Sequence, residues 1–317
     1  MKVFITGKVP NISKELLIEN GFKVIQYKGD NPLEPGAFLK SAKNADALIT
    51  LLRDKIDKKV IDQLKNCKII ANYAVGFNNI DVEYAGEKGI VVTNTPDILT
   101  NATADIAISL MLMCARSLCE AGKFMRDGKF NGWQPQLFLG TELSGKTFGL
   151  IGAGRIGTAT AKRAKAFGMK IIYYNKSKKN DFEKSTAAKK VSLNKLLKLS
   201  DVVSVHLPLN GKTYHLLNKD NMNLMKDSVI FINTARGEIV DEKYLIRLLK
   251  SKKLKCAGLD VFEGEPAINK QLIKLKNVAL LPHIGSATVE TRNKMAELAA
   301  KNVINVLSGK NPITPVK

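Results

Sequence analysis

The sequence predicts an α/β fold of two domains, each a parallel β-sheet flanked by helices, and three observations predict it. Short apolar runs alternate with amphipathic stretches through the first hundred residues, the alternation restarts at Lys146, and the restart opens with a glycine-rich turn, Gly152-Ala153-Gly154-Arg155-Ile156-Gly157. Strands that are separated by helices pair in parallel, because a parallel crossover needs the length that a helix supplies. At 317 residues and 45% hydrophobic content, the chain has material for about two cores and is too apolar to be disordered.

The first set of strands is expected at Lys2–Thr6, Lys23–Tyr27, Ala47–Leu51, Lys68–Ala71 and Gly89–Thr93. Helix-like spacing lies between them at Ser13–Glu19, with Ser13 as N-cap, and at Lys58–Lys65. A long helix is predicted over Thr100–Cys119, capped by Thr100 or Asn101, with Ile106, Leu110 and Met113 or Cys114 on one face. Strands follow in TFGLIG, KIIYY, DVVSVHLPL, SVIFINT, CAGLDVF and VALLPH, with helices near Leu193–Leu199 and Glu242–Lys250. Thr288–Leu307 reads as a last amphipathic helix, and the tail after it has no sheet of its own to join.

Composition narrows the function classes. The net charge is +21, but 42 of the 50 cationic residues are lysines, scattered over unrelated segments such as Lys178, Lys179, Lys189, Lys190, Lys252, Lys253 and Lys255. That pattern reads as a solvated surface and not as a nucleic-acid footprint, which would cluster arginines and aromatics. No window of 18 apolar residues exists, and the first ten residues hold an apolar run of only three, so neither a membrane span nor a signal peptide is expected. Cys67, Cys114, Cys119 and Cys256 show no CxxC spacing, which fits a reducing cytoplasm and no metal site.

The chemistry begins at the glycine turn. Gly152 permits the tight turn after a strand, Gly154 lets backbone approach a pyrophosphate, and Gly157 allows close packing of the following helix, whose N-terminus presents free N–H groups to an anion. This is the signature of a Rossmann-type dinucleotide site. After the next strand, where NAD enzymes place an acidic residue on the ribose, stand Asn175, Lys176, Ser177, Lys178 and Lys179. With no carboxylate and three lysines there, NADP(H) is favoured over NAD(H). Of the three histidines, His206 and His283 end strands on the edge where ligands of open α/β sheets bind, while His215 lies in TYHLLN; spacing alone does not choose between the first two as acid or base. Arg236 follows one strand of the second sheet, and Glu263 and Glu265 follow another. A strand-end arginine can grip a carboxylate bidentately, and a carboxylate beside an imidazole orients it.

These residues sit in a chain that resembles the D-isomer-specific 2-hydroxyacid dehydrogenase family, most closely its glyoxylate and hydroxypyruvate reductase branch. The resemblance runs through seven ordered blocks: NYAVGFNNID, VTNTPDILTNATADIAISLML, LSGKTFGLIGAGRIG, VHLPL, NTARGEIVDE, GLDVFEGEP and LPHIGSAT. It implies a flavodoxin-like substrate domain from residues 1–98 and 288–317, a Rossmann-type nucleotide domain from 99–287, and catalysis in the cleft. It implies that Arg236 binds the substrate, that His283 gives a proton to the carbonyl oxygen, and that Glu265 holds His283. Val75 and Gly76 would offer backbone N–H groups to the substrate carboxylate. The cofactor would meet Gly152, Gly154, Arg155, Ile156, Gly157, Asn175, Lys176, Ser177, His206, Pro208, Thr213, Thr234, Ala235, Arg236, Asp260, His283 and Gly285, with Asp260 on the nicotinamide amide. The implied activity is reduction of a small 2-keto acid by a cytoplasmic homodimer. Within the family the alternatives are 3-phosphoglycerate, D-lactate and formate dehydrogenases, the last disfavoured because it carries glutamine in place of Glu265. Outside enzymes, the alternative is a nucleotide-sensing corepressor-like protein.

Overall fold

The computed structural model describes residues 1–316, and in it the predicted strands form two separate sheets whose strand pairs are all parallel. The first comprises β1 (Lys2–Ile5), β2 (Lys23–Gln26), β3 (Ala47–Thr50), β4 (Ile69–Asn72) and β5 (Val91–Thr93), in the order β2-β1-β3-β4-β5. The second comprises β6 (Thr147–Ile151), β7 (Lys170–Tyr174), β8 (Lys189–Lys190), β9 (Val202–Val205), β10 (Ile230–Asn233), β11 (Cys256–Leu259) and β12 (Val278–Leu280), in the order β12-β11-β10-β9-β6-β7-β8. These are the flavodoxin-like and Rossmann-type strand orders. The chain divides into two compact units, Met1–Leu99 with Ser286–Lys317, and Thr100–Gly285.

In the first unit, β3 and β4 are buried along their whole length, as parallel strands covered on both faces must be, which is why they read as unbroken apolar runs. The helix Val289–Leu307 packs on β3 and β4 and on the helix Ile12–Glu19, so the last long helix completes the first sheet's core. Thr288 caps it, its hydroxyl accepting from the Thr291 N–H at 3.1 Å. Ser13, expected as an N-cap, lies inside its helix instead. Asn11 holds the cap position, and the buried Ser13 hydroxyl donates to the Pro10 carbonyl.

The tail does find a sheet. Pro315 bridges Thr93 antiparallel, and Val316 N–H donates to Val92 O at 2.8 Å, so the tail borders β5. Asn302, with no exposed surface, organises that return: its Oδ1 accepts from Ile313 and Thr314 N–H, and its Nδ2 donates to Leu298 O and to the Thr314 hydroxyl.

In the second unit, the helix predicted over Thr100–Cys119 stops at Arg116, because Ser117 turns left-handed (φ 50°) and a second helix, Leu118–Arg126, begins. The helix Thr100–Arg116 packs on the helix Arg155–Ala166 and on β10, β11 and β12, burying Ala104, Leu110 and Met111. Strand β8 escaped sequence reading: its two residues are exposed lysines on the sheet edge, where charge discourages further pairing and leaves no apolar signal. No single helix among the described residues is long and apolar enough to cross a membrane.

Replacing Asn302 with leucine strands the Ile313 and Thr314 N–H groups, so the variant should lose about 2 kcal/mol of stability. Urea unfolding followed by circular dichroism checks this, and an unchanged midpoint would mean the tail is not held by this side chain.

Candidate active site

The strand order of the second sheet reverses between β6 and β9, and the carboxyl ends of those strands diverge there into a crevice. Gly152 leaves β6 with φ +100°, and a Cβ on it would stand 2.5 Å from His206 O; a Cβ on Gly157 would stand 2.1 Å from Gly152 O. Both positions therefore exclude any side chain. The twelve-residue helix Arg155–Ala166 starts at Gly154, which provides no side-chain cap and whose absent Cβ would meet nothing within 4 Å. Its first-turn N–H groups, with the helix dipole behind them, face the crevice at a point that backbone or phosphate can approach.

Asn175 follows β7 and ties back to this turn, its Oδ1 accepting from Ala153 N–H at 3.3 Å and its Nδ2 donating to Ser177 O at 3.0 Å. Lys176, Ser177, Lys178 and Lys179 are exposed beyond it, and Lys190 of β8 donates to Lys176 O. His206 closes the far wall, its Nε2 2.8 Å from the Ser204 hydroxyl. Burial pushes its pKa down to about 3, so the imidazole is neutral and unsuited to proton delivery. Thr213 donates to Pro208 O at 2.6 Å and closes the loop after β9. Thr234 Oγ1, after β10, is buried with no hydrogen-bond partner among the described residues. Glycine cradle, uncapped helix start and orphaned hydroxyl lie along one sheet edge, and these residues fit a dinucleotide.

Farther along that edge stands the acid–base group. Asn233 closes the turn after β10, donating to Arg236 O at 2.8 Å and accepting from Ala235 N–H at 3.0 Å. Arg236 donates through Nη1 to Ala235 O at 2.6 Å; burial lowers its pKa, against the opposing pull of Glu265 and Glu238. At Gly237 a Cβ would lie 1.9 Å from the Phe262 carbonyl carbon, so only glycine lets the arginine turn touch the loop that carries Glu265. Glu265 accepts from Phe262 N–H at 2.8 Å through Oε1, and its Oε2 lies 2.7 Å from His283 Nδ1. Burial alone would raise the Glu265 pKa, but His283, the Phe262 N–H and Arg236 together bring it below the usual carboxylate value.

His283 itself is left-handed, φ +53°, a conformation that costs a side-chain-bearing residue about 1–2 kcal/mol. Asp260, 1% exposed, holds it there: its two oxygens accept from Ile284 N–H at 2.8 Å and Gly285 N–H at 2.7 Å. Burial raises the Asp260 pKa, with those two bonds and His283 pulling the other way. Asp260, expected from the resemblance to contact the nicotinamide amide, thus places one bond from each oxygen on the His283 loop, and each oxygen keeps a further lone pair. Gly237 and this role of Asp260 were missed by sequence reasoning; a glycine directly after a candidate arginine, and an aspartate ending a strand beside the histidine's strand, were the available signals.

Val75 and Gly76 belong to the first unit. Ala74 O accepts from Thr95 N–H, Val75 O from Asn94 Nδ2, and Gly76 O from Asn72 Nδ2 at 2.7 Å. Because a trans peptide points its C=O and N–H oppositely, anchoring Ala74 O and Val75 O turns the Val75 and Gly76 N–H groups to the other side as paired donors. No cluster of histidine, cysteine or carboxylate among the described residues could hold a metal ion.

The pattern of the D-isomer specific 2-hydroxyacid dehydrogenase, NAD binding domain, matches residues 108–285. A glyoxylate reductase from Thermococcus litoralis is 49% identical over 98% of this chain and 95% of its own. A solved Thermus thermophilus protein superposes with a TM-score of 0.94 at 42% identity, covering all of both chains. An NADPH-dependent glyoxylate/hydroxypyruvate reductase from Sinorhizobium meliloti, solved with NADP and malonate, gives a TM-score of 0.87 at 32% identity over 99% of this chain and 96% of that one.

Gly237→Ala must push the Arg236 turn and the Phe262–Glu263 backbone apart, at a cost of about 3 kcal/mol. A thermal melt indistinguishable from wild type would show that the loops are not in this contact.

Proposed function

Because the chain belongs to the D-isomer specific 2-hydroxyacid dehydrogenase family, we propose that it reduces glyoxylate or hydroxypyruvate to the 2-hydroxy acid, with NADPH favoured over NADH and with Arg236, Glu265 and His283 as catalytic residues. As a member it is an oxidoreductase acting on CH–OH donors with a nicotinamide cofactor, and its substrate is a small keto or hydroxy acid. The observation that carries the residue assignment is the 2.7 Å contact between His283 Nδ1 and Glu265 Oε2, with the Arg236 turn packed against the same loop.

When bound, a reduced nicotinamide would supply the hydride to the keto carbon, and a proton on the oxygen completes CH–OH. The protein supplies the rest. With Nδ1 committed to Glu265, Nε2 is the nitrogen of His283 left to hand a proton to the carbonyl oxygen. Arg236 pairs with the substrate carboxylate and the growing negative charge, and its burial keeps that field from being screened. In the first unit, the paired N–H groups of Val75 and Gly76 are suited to a substrate carboxylate. Gly152, Gly154, Arg155, Ile156 and Gly157 would hold the pyrophosphate, while His206, Pro208, Thr213, Thr234, Ala235 and Gly285 would border the dinucleotide and Asp260 would meet the nicotinamide amide. Asn175, Lys176 and Ser177 receive its 2′-phosphate: the segment carries no carboxylate, and exposed lysines surround it.

The protein works in this reading as a cytoplasmic homodimer. Its four cysteines are free, and Met125, Phe130, Trp133 (83%) and Leu139 (73%), all exposed between residues 125 and 139, are apolar side chains for a second copy to cover.

Purified protein should oxidise NADPH, followed at 340 nm, with glyoxylate or hydroxypyruvate, at a kcat/KM about tenfold or more above that for NADH. Arg236→Ala should cost about 2–4 kcal/mol of transition-state stabilisation. No oxidation of either cofactor with any 2-keto acid would overturn the proposal.

Glu265 also sets a pH dependence. Its folded pKa is depressed, so its contribution to stability is complete above the ordinary carboxylate value and lost as pH falls through the lower folded one. The acid limb of kcat/KM for reduction should therefore lie below the usual carboxylate range, and Glu265→Gln should abolish it; an identical acid limb in the variant would exclude the pairing.

A further inference from the structure

The loop that carries Glu265 holds a second imidazole–carboxylate contact which the proposed mechanism does not use. His215 Nε2 lies 2.9 Å from Glu263 Oε1, with the two side chains 31% and 28% exposed. His215 is, like His283, left-handed (φ +45°), and its ring stacks on Tyr214 at 4.1 Å. Its N–H donates to Glu238 O at 2.8 Å, which ties the loop after β9 to the turn that follows Arg236. Glu263 is gripped a second time through its backbone, its N–H donating to Glu242 Oε2 at 3.0 Å.

These contacts fix Glu263 from two directions, and between it and Glu265 stands only Gly264, left-handed at φ +78°. A glycine in that conformation has no side chain to restrain it, so the aim of Glu265 is set by the residues on either side. Carboxylates crowd this loop: burial raises the Glu242 pKa, with Glu263 and Glu238 adding to the rise and the Glu263 N–H opposing it, while Arg236 lies in reach of Glu238. The His215 ring lies within hydrogen-bond distance of Glu263 and so ties that carboxylate, and with it the loop, to the segment after β9.

We propose that His215 and Glu263 are positioning residues, a clamp that holds the Phe262–Glu265 loop so that Glu265 meets His283. The inference rests on the catalytic reading of Arg236, Glu265 and His283 given above. The same clamp links the loop bearing Thr213, assigned to the dinucleotide, with the loop bearing the acid–base carboxylate.

The test uses the full chain and three variants, His215→Leu, Glu263→Gln and His215→Gln, the last keeping a donor toward Glu263. The protein has three histidines, so a long-range 1H–15N imidazole spectrum resolves each of them. His215→Leu and Glu263→Gln should move the His283 Nδ1 resonance from its position in the wild type. They should lower kcat about tenfold and carry the acid limb of the pH profile upward, because Glu265 loses part of its hold on His283. The Kd for NADPH, from fluorescence titration, should stay within about twofold, and His215→Gln should recover most of kcat. A fall in melting temperature with His283 Nδ1 and the acid limb unmoved would overturn the clamp and leave the pair a purely structural contact. If the wild type turns over no 2-keto acid, the catalytic reading fails by itself, and the His283 Nδ1 resonance alone decides whether His215 positions Glu265.

Discussion

A buried aspartate at the end of β11 governs the geometry of the candidate site. Asp260 places one carboxylate oxygen on each of the two N–H groups that follow His283, and this bidentate grip holds the histidine in a left-handed conformation it would not adopt unaided. Release that grip and the ring loses its direction toward Glu265. The carboxylate is nearly inaccessible to solvent, so the two bonds are made in a low-dielectric setting where they are strong, and where leaving either oxygen unmatched would be costly.

The remaining constraints bring loops to that point. Parallel strands all end on the same edge of their sheet, so β6, β9, β10, β11 and β12 deliver the glycine turn, His206, Arg236, Glu265 and His283 to one edge although these are drawn from positions 152 to 283 of the chain. Gly237 then lets two of these loops touch without an intervening side chain. Glycine, arginine, carboxylate and imidazole therefore form a connected set in which each backbone position depends on the next. The second imidazole, His215, enters the same set from the far side of Glu263.

Electrostatics follows from this packing. The three histidines of one unit occupy three environments. His206 is held neutral by burial against the dinucleotide turn, His215 meets Glu263 near the surface, and His283 meets Glu265, whose pKa it helps depress, with Asp260 also in its reach. Identical side chains are thereby given different work by what surrounds them.

Much of this was legible in the amino-acid order, and the reason is local. A buried parallel strand must be an apolar run and a helix on its face must be amphipathic, so β7 (Lys170–Tyr174) was legible in its bounds and the helices Leu193–Leu199 and Glu242–Lys250 in their places. The glycine turn was legible because close backbone approach tolerates no other residue type. What lacked a local signal was missed or misplaced: the lysine strand β8, the break at Ser117, the pairing of the tail with β5, and Ser13, which faces inward. By itself, then, the sequence determined the two parallel sheets, the dinucleotide turn and the chemical types available at the strand ends. Spacing left His206 and His283 open, and the family resemblance implied His283 as the partner of Glu265, as the contact has it; only the tertiary structure decided that Asp260 binds both N–H groups of the His283 loop and that His215 reaches Glu263. Those pairings join residues from separate crossovers, and their distances are set by how strands and loops pack, which no spacing along the chain encodes.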